Sequence, residues 1–120
     1  MADLAASDVA LSYNKGDRTF AGITPLNLIT LKVGDGTKNY PATGYIPLPT
    51  DNTLYGLAPN NGVNAMMVMV PPADGNVYRV DVTNMRLYIY QCAGAGAAMQ
   101  VMGNSALAAK TLVLLVFGKQ

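Results

Sequence analysis

Histidine, glutamate and tryptophan are missing from this chain, and cysteine occurs once. The lack of histidine removes the usual general base, the commonest metal ligand and any Ser-His or Cys-His nucleophile. The lack of glutamate leaves acid–base chemistry to seven aspartates. Asp35, Asp51, Asp74 and Asp81 each sit beside Gly or Asn or at a strand end, where aspartate commonly bonds the local backbone. No run of carboxylates forms a calcium loop. Glutamate is a good helix former and aspartate a poor one, so an all-aspartate acid set favours strands and turns. With Cys92 alone, neither an intramolecular disulfide nor a cysteine zinc cage can form, and a buried, inert thiol is expected. The residues therefore point to no catalytic set, no metal and no cofactor.

Charge is scarce as well. Charged residues are 12% of the chain, about half the usual share. Few self-repelling groups leave a thin solubility margin for a monomer. Two readings fit: a surface partly covered by a partner, or a compact β protein with an uncharged polar surface. The net charge is +1 and the eight basic residues are scattered from Lys15 to Lys119. No phosphate-tracking stripe forms, which argues against a nucleic-acid partner. The start, MADLAASD, has neither a basic nor an apolar leader region. Apolar runs such as Leu112 to Phe117 fall far short of the roughly 20 residues that cross a bilayer, so no membrane partner is expected.

What the chain does have is alternation. In the stretch from Asn76 to Gln91, Tyr78, Val80 and Val82 fall on one face of a strand, with Arg79 and Asp81 on the other. After Thr83-Asn84, an aromatic and β-branched run resumes from Arg86 to Gln91, the pattern of a β-hairpin over a core. Upstream, Val9 and Leu11 permit a short strand, Asn14 to Asp17 form a turn, and Arg18 to Ile23 are ambiguous. Pro25 opens a strand in which Ile29, Leu31 and Val33 face the core, Asn27 being the one polar member of that set. Gly34-Asp35-Gly36 closes it, and Thr37 to Pro41 is expected to return briefly as a strand. Three prolines in Pro41 to Pro49 require an extended surface arm, a crossover loop or an edge strand.

Leu54 to Leu57 reads as a short strand. Ala65 to Val70 is apolar at every position, either buried on both faces or facing a partner; its methionines are core filler or an adaptable contact surface. Residues 92–104 form a Gly/Ala-rich loop. Within it, Gly94 to Met99 imitates the start of a dinucleotide fingerprint but lacks a small third position, a crossover helix and a later acid. Ser105 to Ala109 has the makings of one helical turn. Thr111 to Phe117 lacks alternation, so both its faces should be buried. At 120 residues the chain suits one domain. The sum is a single all-β domain over residues 1–120: a β-sandwich or jelly-roll-like barrel of about seven or eight short strands with no long helix.

Seven tyrosines are the large residues of this chain. They stack sugars, anchor an interface or fill the core, and Tyr40 and Tyr45, flanking the proline-rich arm, are the best exposed candidates. Three blocks then combine: VGDGTKNYPATGYIPLP (Val33 to Pro49), the apolar AMMVMV, and VYRVDVTNMRLYIYQ (Val77 to Gln91). Their order resembles a group of small virion proteins of tailed bacteriophages, over roughly residues 26 to 91. The N-terminal third lacks the Arg/Lys-rich strand of some members, which leaves a polyanion contact without support.

The resemblance implies a capsid decoration, or cement, protein made in the host cytoplasm and bound to the exterior of the phage head. Its partners would be the major capsid protein and itself, as a homodimer or homotrimer. Tyr40, Tyr45, Pro47, Pro49, Met66, Arg86, Tyr88 and Tyr90 are the interface candidates. The rival readings are a tail or fibre component and a carbohydrate-binding β-sandwich module.

Overall fold

The computed structural model of the chain describes residues 2–13, 18–21, 24–57, 62–92 and 99–119. Nine strands run through them: β1 (Ala10–Ser12), β2 (Arg18–Ala21), β3 (Thr24–Val33), β4 (Ile46–Pro47), β5 (Val63–Val70), β6 (Val77–Asp81), β7 (Arg86–Cys92), β8 (Met99–Val101) and β9 (Lys110–Gly118). All strand pairs are antiparallel and form two sheets. In the larger sheet, β9 lies between β3 and β5, while β1 and β2 share the far edge of β3. In the smaller sheet, β7 pairs with β6 on one side and with β4 and β8 on the other. The two sheets pack as a sandwich and do not close into a barrel. Among the described residues no helix is long and apolar enough to cross a membrane.

Period-two alternation decides what goes inside. Ile29, Leu31 and Val33 of β3, Met66 of β5 and Leu112, Leu114 and Val116 of β9 are buried. They meet Ile46, Tyr78, Leu87 and Ile89 from the smaller sheet in one core. Asn27, the polar exception on the core side of β3, is also buried. Its Nδ2 donates to the Tyr55 carbonyl at 2.8 Å, so an amide in the core satisfies the carbonyl of a turn that packs there. Gly34, at φ +87°, lets the turn after β3 lie against residues 107–108; a Cβ there would stand 2.6 Å from the Ala108 carbonyl oxygen.

Several expectations are corrected. Leu54 to Leu57 is not a strand; residues Asn52–Tyr55 form a 3₁₀ turn. The Asp51 carboxylate accepts from the Thr53 amide (3.0 Å) and hydroxyl (2.7 Å), and Gly56 ends the turn in the left-handed region. Ser105 to Ala109 is extended rather than helical, with a bridge from Ala106 to Asn39 and Leu107 buried. Thr37 to Pro41 makes isolated bridges, Asn39 to both Asp3 and Ala106, and no strand. Thr111 to Phe117 alternates after all: Leu112, Leu114 and Val116 are buried, but Val113, Leu115 and Phe117 are only half-buried. In β5, Met66 points inward, whereas Met67 and Met69 are 53% and 48% exposed. Both runs hide their period because their outer faces are apolar too. The Asn14–Asp17 turn, most of the Gly/Ala-rich loop and the Cys92 thiol lie outside the described residues and side chains.

One carboxylate ties the sheets together. Asp74, in the turn from β5 to β6, accepts from Lys110 Nζ at 2.8 Å, from the Asn76 amide at 3.0 Å and from the Tyr78 hydroxyl. Lys110 opens β9 of the larger sheet and Tyr78 belongs to β6 of the smaller. Burial opposes ionisation of Asp74, but the hydrogen bonds from Lys110, Tyr78 and Asn76 outweigh it and hold the carboxyl below its usual range. Burial first, then donation to Asp74, pushes the Tyr78 phenol up.

A depressed folded pKa means that the Asp74 contribution is present above the unfolded value of about 3.9 and is lost as the pH falls through the folded value. Urea unfolding of Asp74→Asn is therefore expected to show stability lower by about 1 kcal/mol at pH 7. It should also show a shallower loss than the parent chain between about pH 5 and pH 2. Equal acid slopes would show that Asp74 is not coupled to folding.

Candidate functional site

The alternation that buries Leu87 and Ile89 turns Arg86, Tyr88 and Tyr90 to the opposite face of β7. The register of the hairpin then adds Val77 beside Tyr90, Arg79 beside Tyr88 and Asp81 beside Arg86. On the other flank Pro47 of β4 pairs with Arg86, and Tyr45, just before β4, lies next to them. Five candidates from the sequence, Tyr45, Pro47, Arg86, Tyr88 and Tyr90, thus come together on the outer face of the smaller sheet.

The rings and cations interlock. Tyr45 and Tyr88 have ring centroids 6.0 Å apart and tilted by 54°. Tyr88 and Tyr90 are 6.1 Å apart and nearly parallel, at 15°. The Arg86 guanidinium carbon stands 4.0 Å over the Tyr45 ring, and that of Arg79 stands 4.6 Å over Tyr88. Arg79 also donates to the Tyr90 hydroxyl at 3.4 Å. Each cation–π contact and each ring pair is individually weak at an exposed site. Together they hold long side chains in one arrangement before any partner arrives, which lowers the entropic cost of docking.

Electrostatically the face is a pair of permanent cations with one carboxylate at its edge. The hydrogen bond to Tyr90 holds Arg79 still more firmly protonated, and one to Tyr88 does the same for Arg86. Asp81 is kept ionised chiefly by the Asn84 side-chain amide, which donates to it at 3.0 Å. Permanent cations beside tyrosine hydroxyls suit carboxylates and carbonyls on a partner surface, and Tyr and Arg are the residues most enriched among binding hot spots.

The other candidates lie elsewhere. Tyr40 is fully buried, which corrects its reading as an exposed anchor. Its hydroxyl donates to the Gly44 carbonyl at 2.7 Å and accepts from the Ile89 amide at 3.2 Å, so it fastens the proline-rich arm to β7. Met66 is likewise a core residue at 7% exposure. Pro49 is half-buried and presents its carbonyl to the Tyr55 hydroxyl at 2.8 Å, supporting the arm from below. Arg79 is the functional side chain missing from the sequence candidates. The signal for it was there: its strand alternates, and hairpin pairing sets it across from Tyr88.

A groove of about 220 Å³ near β1 and β3 is lined by Asp8, Asp35, Lys32 and Lys38, among others. Its carboxylates are already engaged. Asp8 pairs with Lys38 at 2.7 Å, and Asp35 accepts from the Thr37 hydroxyl at 2.6 Å and amide at 2.9 Å. Among the described residues no three of His, Cys, Asp or Glu gather to hold a metal ion. No protein-family model, curated protein or solved structure matches this chain.

Replacing Tyr40 by Phe leaves two backbone groups without their partner and is expected to cost about 2 kcal/mol. Tyr45→Phe should stay within about 0.5 kcal/mol of the parent. Urea midpoints at an unchanged slope measure both, and equal midpoints would remove Tyr40 from its fastening role.

Proposed function

We propose that this protein is a capsid decoration protein, which docks on the outer surface of an assembled phage head and stabilises the contacts between major capsid subunits. The observation that carries the docking role is the Tyr45–Tyr88–Tyr90 ladder clasped by Arg79 and Arg86. The virion setting comes from the resemblance of the arm, the Met-rich strand and the hairpin to small phage virion proteins. The two lines of support meet in the same residues, since the hairpin supplies most of the ladder.

The mechanism is thermodynamic. A protein that binds the assembled lattice better than free subunits stabilises the lattice by mass action. Many copies on one shell add up, because a subunit held by several neighbours leaves only when all contacts fail together. The rigid sandwich presents the Tyr/Arg face. A carbohydrate-binding role fits less well, since sugars stack on free ring faces and a guanidinium already covers one face each of Tyr45 and Tyr88.

Co-sedimentation with bare, expanded capsids of the phage that encodes the protein tests this reading. Saturable binding and a raised capsid disruption temperature are expected. The Arg79→Ala/Arg86→Ala double variant and Tyr88→Ala should each weaken binding tenfold or more, a loss of at least about 1.4 kcal/mol. No binding together with an unchanged disruption temperature would refute the proposal. Capture on a glycan array would redirect it to carbohydrate.

A further inference from the structure

The outer face of the larger sheet has a different chemistry from the Tyr/Arg face. Strand register sets its residues in three rows across β3, β9 and β5. Leu26, Phe117 and Ala65 form the first, Leu28, Leu115 and Met67 the second, and Thr30, Val113 and Val70 the third. Eight of these nine positions are apolar, none is charged, and the exposures of Met67 and Val70 are 53% and 55%. A register shift between Val68 and Val70 brings Met69, at 48%, to the surface beside them. The flanking charges are Lys32, in the next row opposite Thr111, and Lys119, beyond Phe117 at the other end, and their length lets each ammonium reach water at the border.

We infer that this face is the contact between copies of the chain, with the sheet of one molecule packed against the same sheet of a second. Two features select a second copy over another occupant, and a third sets how the copies meet. First, the face offers no charge by which to choose a differently charged partner, while meeting itself costs no like-charge repulsion. Second, the size fits. The five strands of this sheet hold 34 residues, and at about 3.4 Å by 4.8 Å each they give a flat footprint of roughly 550 Å², near the roughly 600 Å² per partner at the small end of stable interfaces. The nine central residues would form an apolar core of the kind found in homodimers, with Asn64, Thr111 and Lys32 on the rim.

Third, the free edge is unsuited to strand addition. β5 carries no charged residue to guard it, but its ladder is interrupted at Val63/Ala65 and again at Val68/Val70. Such bulges spoil the regular row of donors and acceptors that an added strand requires. The copies therefore meet face to face, as the two sheets within one molecule already do.

The inference deepens the assembly role proposed above and takes its biological sense from it, but the contact is measurable without capsids. Sedimentation velocity of the full chain between about 1 and 100 μM is the experiment, with circular dichroism to verify folding. The parent chain is expected to be a dimer, because a face that meets itself closes at two copies. Met67→Glu/Met69→Glu should raise the dissociation constant tenfold or more. Met67→Thr/Met69→Thr, neutral and strand-compatible, should weaken association in the same direction and serves if the charged variant does not fold. Arg86→Ala/Tyr88→Ala, on the other face, should leave association unchanged.

A parent chain that stays monomeric at 100 μM overturns the inference, as does association indifferent to both methionine pairs. Loss of capsid binding by the methionine variants of a monomeric parent would assign the face to the shell instead. An oligomer that ignores capsids would overturn the decoration role and leave this contact standing.

Discussion

The structure depends on the antiparallel pairing of β9 with β3 and β5. β9 is flanked on both sides, so the backbone groups of its apolar run find partners in two directions. Its inner side chains, Leu112, Leu114 and Val116, form the floor of the core. Lys110 at its start reaches Asp74, and through it Tyr78 of the opposite sheet. Remove this strand and β3 and β5 lose their common neighbour, while the sheets lose one of their direct polar ties.

The smaller sheet is held more by loops than by long strands. Its strand β4 has two residues, and Tyr40 supplies the fastening that so short a ladder does not. Asn104 adds to it by donating to the Tyr40 carbonyl at 2.7 Å and to Asp3 at 2.9 Å. Asp3 also accepts from the Ala42 amide at 3.2 Å. The first residues, the arm and the segment before β9 are thereby joined at one end of the sandwich. With β7 fixed from below in this way, the side chains above it stay on one face of the sheet. The ladder of Tyr45, Tyr88 and Tyr90 is thus a consequence of how the arm is anchored.

Wherever one face of a strand is apolar and the other polar, the sequence was enough to read the structure. The inward set of β3, the hairpin of β6 and β7, and the grouping of Arg86, Tyr88 and Tyr90 all follow from a period of two. It failed where both faces are apolar, as in β5 and β9, because a two-sided strand and a strand with an exposed apolar face share one pattern. Tyr40 was misread for another reason: its partner, the Ile89 amide, is far along the chain and leaves no local mark. The 3₁₀ turn at Asn52–Tyr55 had a local sign in Asp51 and Thr53, but the apolar spacing of Tyr55 and Leu57 imitates a strand. Asn27 could be seen as an exception, yet the carbonyl it serves belongs to a turn some thirty residues away.

The central place of β9 also governs how the molecule comes into being. Leu26 and its neighbour Phe117 are separated by roughly ninety residues of chain. In chain order β3 and β5 both precede the strand that lies between them. The larger sheet therefore closes only once β9 is available to both neighbours and, because the pairings are long-range, that step is slow. Until β9 docks, the apolar rows of β3 and β5 are open to wrong partners, so this pairing is the step at which misassembly competes with folding.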